Sequence, residues 1–159
     1  MQTTYKQVLL LPAFKKFITA SKTGNRLMPS GKKVRKGTIE QYNCVSLILT
    51  LYEQTLLKPL RICLLYKSTI RNVQKEKLYW SRFFKSFSSF MFKEKKYYDQ
   101  YAGAVIKTLK AFFNYLIVEK CYPVGEFHKQ FRIPTEDIMP IILTPVQVNY
   151  LISDKIFEA

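Results

Sequence analysis

Apolar side chains recurring at spacings of three and four residues constrain this chain more than any other feature. Tyr98, Tyr101, Val105, Leu109, Phe112 and Leu116 keep that rhythm through 98–119, which places them on one face of a helix. Ile39, Tyr42, Val45, Leu49, Tyr52 and Leu56 do the same through 38–56, with Pro59 marking the end. Trp80, Phe84, Phe87 and Met91, widened by Phe83 and Phe90, define a third helix over 74–93. Phe14, Phe17, Ile18 and Ser21 share a face in a shorter helix over 12–22, where Pro12 suits the first helical position and Gly24 can end the helix. Residues 60–72 stay open between a strand through Leu60, Ile62 and Leu64 and a padded loop.

Two helix starts carry cap signals. Thr38 and Gln41 have the spacing of a capping box, in which the hydroxyl accepts from a first-turn N–H and the amide reaches back. Thr144 precedes Pro145, so Thr144 is expected as N-cap of a last helix bearing Val148, Leu151 and Ile152, after a run Ile138–Leu143 read as extended. The expected fold is all-α: a bundle of about four helices with a basic N-terminal arm and a short C-terminal stub. Three segments are expected: 1–37 as short helix and basic linker, 38–122 as the helical domain, and 123–159 as linker and first element of a truncated further domain.

Charge is distributed unevenly over this pattern. Residues 1–39 hold nine Lys and Arg and no acid. Residues 40–120 carry net +8 and residues 121–159 net −2, within a total of +15. A polyanion is drawn to one end of such a chain, and nucleic acid rewards Lys and Arg by counterion release. Apolar content of 48% with 15% aromatics is too high for a disordered basic tail. No run of roughly 18 apolar residues is present. Cys44, Cys63 and Cys121 are odd in number and far apart, which fits reduced, structural thiols. No Cys/His cluster, phosphate-binding Gly loop, paired carboxylates or Ser/Cys–His pair stands out, so no cofactor or metal is expected.

Two groups of residues are candidates for DNA contact. On helix 98–119, Gly103, Lys107, Lys110 and Asn114 lie opposite the apolar stripe. There a glycine admits a second backbone, two lysines reach phosphates, and an asparagine can read a base edge. The basic run Lys32, Lys33, Arg35 and Lys36 leads into the helix start at Thr38 and Gln41, whose free N–H groups favour a phosphate.

The segment Gly37-Thr-Ile-Glu-Gln-Tyr42, then Tyr79-Trp80 with Phe83–Met91, then Tyr101-Ala-Gly-Ala-Val-Ile-Lys-Thr-Leu-Lys-Ala-Phe-Phe-Asn-Tyr-Leu116, resembles the core-binding domain of tyrosine recombinases, the phage-type integrases. It is most similar to integrases of mobile elements in Bacteroides-like bacteria. Pro140-Ile-Ile-Leu-Thr-Pro-Val-Gln-Val-Asn-Tyr-Leu151 resembles the entry into their catalytic domain. The resemblance implies a SAM-like bundle that closes on crossover-site DNA as half of a C-shaped clamp, in a cytoplasmic, nucleoid-associated protein that self-associates on DNA. It places Thr38 and Gln41, and Lys107 and Lys110, against the duplex. Strand cleavage in that family needs two arginines, an acid/base and a tyrosine nucleophile. Here the one histidine, His128, has no His-x-x-Arg context and reads as a packing residue between Phe127 and Phe131. The expectation is binding of DNA without cutting. The alternative is a basic helical module for an acidic protein partner; membrane-surface binding fits less well because the aromatics fall on core stripes, and RNA binding because no RRM, KH or OB pattern is present and strands are few.

Overall fold

A computed structural model describes residues 6–134 and 142–153. A short strand β1 (Gln7–Leu9) runs straight into α1 (Leu10–Thr23). After a loop come α2 (Lys36–Leu56), β2 (Arg61–Cys63) and α3 (Ile70–Ser89), which continues into one π turn at Phe90–Glu94. Then follow α4 (Asp99–Val118), a 3-10 turn at Phe127–Gln130, and α5 (Pro145–Ser153). Helices dominate, and the strands of the described residues form one antiparallel ribbon, with Gln7 opposite Cys63, Val8 opposite Ile62 and Leu9 opposite Arg61.

The four long periodic stripes fold as helices, and α1 ends at Gly24 in the left-handed region (φ 83°), where a side chain is disfavoured. The open stretch 60–72 resolves into β2 and a turn. Its strand forms because the backbone of Leu64 bonds to Lys6 and that of Leu10 to Leu60, both over 2.9 Å. No local pattern could supply that partner, which lies more than fifty residues away in sequence. Thr144 does cap α5: its hydroxyl accepts from the Gln147 N–H at 3.3 Å, and the Gln147 side-chain oxygen accepts from the Thr144 N–H at 2.9 Å. The part of Ile138–Leu143 up to residue 141 lies outside the described residues.

The core is aromatic and organised around α4, which buries ten of its residues, including Val105, Leu109, Phe112, Phe113 and Leu116. On one side, Phe17 of α1 packs against Phe112 (5.6 Å between ring centroids), Tyr115 (5.2 Å) and Tyr42 of α2 (4.9 Å). On the other, Trp80 of α3 meets Phe113 edge-on at 4.9 Å, and Phe83 and Phe87 continue the cluster to Tyr52 of α2. Such pairs add about 0.5–1.5 kcal/mol each beyond area burial.

Packing runs across both boundaries drawn from the sequence. Phe14 and Phe17, from before residue 38, and Val124 and Phe131, from after residue 122, belong to the same core. The basic loop is also no free arm. Leu27 bridges Lys33, the Met28 N–H bonds to the Lys32 carbonyl at 2.8 Å, and Val34 is buried.

Phe113→Ala should lower stability by about 3–5 kcal/mol, because it leaves a cavity between Trp80, Phe112 and Phe131. A urea titration followed by circular dichroism reads this directly.

Candidate nucleic-acid interface

Of the nine N-terminal cations, eight are exposed: Lys6, Lys15, Lys16, Lys22, Lys32, Lys33, Arg35 and Lys36. The ninth, Arg26, is structural. Its guanidinium lies 4.6 Å from the Phe17 ring centre, donates to Ser21 Oγ at 3.3 Å and stands 3.5 Å from the Glu119 carboxylate. Along α1, Lys15, Thr19 and Lys22 follow at helical spacing and wall a groove of about 950 Å³ against α2. Ile18, Val34, Ile39 and Leu47 give that groove an apolar lining, and Lys36 lies in it beside Glu40 at 3.9 Å.

The expected cap at Thr38 is not formed. Arg35 is the extended N-cap residue (φ −68°, ψ 149°), and α2 already begins at Lys36. Thr38 is therefore inside the first turn, its N–H bonded to the Arg35 carbonyl at 3.0 Å. Gln41 turns away from the helix start and donates to the Ala104 carbonyl of α4 at 3.3 Å. Tertiary contact outcompetes the local box, since the amide serves a carbonyl on a neighbouring helix. Thr38 and Gln41 are both partly buried.

The back of α4 is covered by the chain itself at its N-terminal end, over Gly103. A Cβ on Gly103 would stand 2.7 Å from the Pro134 carbonyl oxygen, so the close backbone approach that this glycine permits is made by residues 133–134. Asn114 is exposed, yet its Oδ1 accepts from Nε2–H of His128 over 2.8 Å. His128 is buried and stacks on Phe113 at 5.5 Å with 8° between the rings. Burial, and then the nearby Lys110, hold its pKa below the usual histidine value. Lys107 is exposed and Lys110 partly so. The four residues do share one side of α4, but Gly103 and Asn114 are committed to the fold.

A stronger basic surface lies on α3. Arg71, Lys75, Arg82 and Lys85 are all exposed and follow one another at spacings of four, seven and three residues, a single line down the helix. Lys77 is exposed about 80° further round the helix from Lys85. The one acid of α3, Glu76, is buried on the opposite side with Trp80, Phe83 and Phe87. Starting the helix at residue 74 cut Arg71 from this line. Placing charges as well as apolar residues at 100° per residue over 70–89 reveals it.

The three cysteines are free; Cys44 and Cys121 are exposed. Burial and the neighbouring Glu76 push the Cys63 thiol up to about 11, so it stays protonated near neutrality. Among the described residues, no helix is long and apolar enough to cross a membrane. No family model, no curated protein and no solved structure matches this chain.

Gly103→Ala should displace residues 133–134 and cost about 1–3 kcal/mol through overpacking; limited proteolysis should then cut within 123–134 sooner than in the parent chain. His128 supplies a pH signature. Its folded-state pKa is depressed, so the unfolded chain takes up the proton first and stability falls as pH drops through about 6.5. Urea midpoints at stepped pH should show that loss, and His128→Gln should flatten it.

Proposed function

We propose that this chain is a double-stranded DNA-binding module of the SAM-like, core-binding type found in tyrosine recombinases. The observation that carries this proposal is the N-terminal segment, where eight exposed cations are met by no acid in the first 39 residues. The segments with the family resemblance fall in order on the helices: Gly37–Tyr42 opens α2, Tyr79 to Met91 spans α3 and its π turn, and Tyr101–Leu116 lies on α4. In this reading the chain forms one jaw of a clamp around crossover-site DNA. It contributes phosphate contacts that hold and orient the duplex, while strand cleavage belongs to a separate catalytic domain. Copies of the parent protein would associate on paired DNA sites, in the cytoplasm of the cell that carries the element. The affinity would be mainly electrostatic, because Lys and Arg that neutralise phosphates release the counterions condensed on the duplex.

A second reading rests on the α1–α2 groove. An apolar lining with Lys15, Lys22 and Lys36 around it, and Leu47 62% exposed, fits an acidic amphipathic segment of a protein partner.

Fluorescence anisotropy with a random duplex of about 30 base pairs, across a salt series, separates the two. The logarithm of the binding constant should fall linearly with the logarithm of salt, with a slope of about −0.9 per phosphate neutralised. Absence of binding at low salt would reject the DNA-binding reading in favour of the acidic partner.

A further inference from the structure

Helix charge and family resemblance point to different surfaces. The resemblance directs the start of α2 and the length of α4 toward DNA. Yet α2 carries Lys36 against Glu40 and Glu53, a net of −1. Helix α4 carries Lys107 and Lys110 against Asp99, a net of +1. Helix α3 carries Arg71, Lys75, Lys77, Arg82 and Lys85 against Glu76, a net of +4, and that one acid is buried, beside Lys75 and Arg61.

We propose that the outward face of α3 is the surface that tracks the phosphate backbone of the duplex. The proposal rests on the DNA-binding reading above and adds the side chains of α3 to the N-terminal cations that carry it. Four features support it. First, Arg71, Lys75, Arg82 and Lys85 lie within about 80° of one another around the helix axis at 100° per residue, and run about 21 Å along it. At 3.4 Å per nucleotide on one strand, that length matches about six phosphates. Second, among the described residues none of these side chains takes part in an ion pair; the three pairs formed involve Arg26, Lys36 and Lys129. Their charge is therefore not already neutralised by the protein.

Third, β2 extends the surface. The Arg61 guanidinium lies 5.8 Å from the Tyr79 ring centre, and the Arg61 N–H donates to Tyr79 Oη at 3.4 Å. Arg61 and Lys75 line one small cavity of about 190 Å³, so Arg61 stands at the flank of the α3 line. Fourth, the helix beneath is held rigidly. Trp80, Phe83 and Phe87 fix its inner face with ring contacts to Tyr52 and Phe113. A rigid line of cations loses less conformational freedom on binding than the same charges on a loop.

The test is the salt-series anisotropy measurement on the full chain and three variants, each checked by circular dichroism and a thermal melt. One replaces Arg71, Lys75, Arg82 and Lys85 with Gln. A second carries only Arg82→Gln and Lys85→Gln, which keeps the test intact if the fourfold change disturbs folding. The third carries Lys107→Gln and Lys110→Gln. The fourfold variant should bind about 100-fold more weakly at about 50 mM salt, with a slope shallower by about 3.6, and the double α3 variant should show about half of that change in slope. The α4 variant should change affinity by at most about threefold. If the parent chain binds DNA and the α3 variants match it, the α3 assignment is wrong while the DNA-binding reading stands. If the parent chain does not bind at low salt, both fail. Vesicles of phosphatidylserine and phosphatidylcholine provide the remaining arm: tighter binding to vesicles than to duplex, lost in the α3 variants, would make this face a membrane surface and overturn the proposal.

Discussion

Two adjacent phenylalanines on α4 hold the rest of the structure in place. Phe112 and Phe113 are about 100° apart around one helix, so they enter two different aromatic clusters. Phe112 closes the layer of Phe14 and Phe17 from α1. Phe113 meets Trp80 of α3 and also stacks on His128. Every long helix is thereby tied to α4, directly or through Tyr42 and Tyr52 of α2. A helix used in this way cannot be two-sided. Its outer face is further covered by residues 127–134, with Gly103 lying under Pro134 and Asn114 bonded to His128.

The same constraint decides where charge can act. With α4 at the centre, α1 and α3 carry the free cationic surfaces, Lys15 and Lys22 on one and Arg71 to Lys85 on the other. Acids engaged by the fold sharpen the contrast. Glu76 faces inward, while Glu53 accepts the Leu60 N–H at 2.7 Å, a contact that anchors the loop into β2. An arginine can be consumed by the fold as well. Arg26 is counted with the basic N-terminal residues, but its stacking on Phe17 and its contact with Glu119 make it a brace between the end of α1 and the end of α4.

Much of the architecture was legible because its causes are local. Apolar periodicity located four helices, since a side chain's face follows from its position on a 3.6-residue turn. Gly24 and Thr144 marked a helix end and a helix start, because a left-handed backbone and a reciprocal cap are short-range requirements. The Thr38–Gln41 box had the same spacing and failed, because Gln41 found the Ala104 carbonyl on another helix. The β1–β2 ribbon was not legible, since each strand is three residues long and its partner is distant in sequence.

Sequence by itself determined which segments are helical, which face of each is apolar, and that the N-terminal part is strongly cationic. These follow from covalent order, side-chain chemistry and helix geometry. Only the tertiary structure decided which polar faces remain open to a partner. That depends on which helix becomes the centre and which distant segment folds back across it. Residues 127–134 close over Gly103 and engage Asn114 on α4, and the packing leaves Arg71, Lys75, Arg82 and Lys85 in solvent. The physical reason is that exposure belongs to the packed arrangement of several segments, whereas periodicity belongs to one.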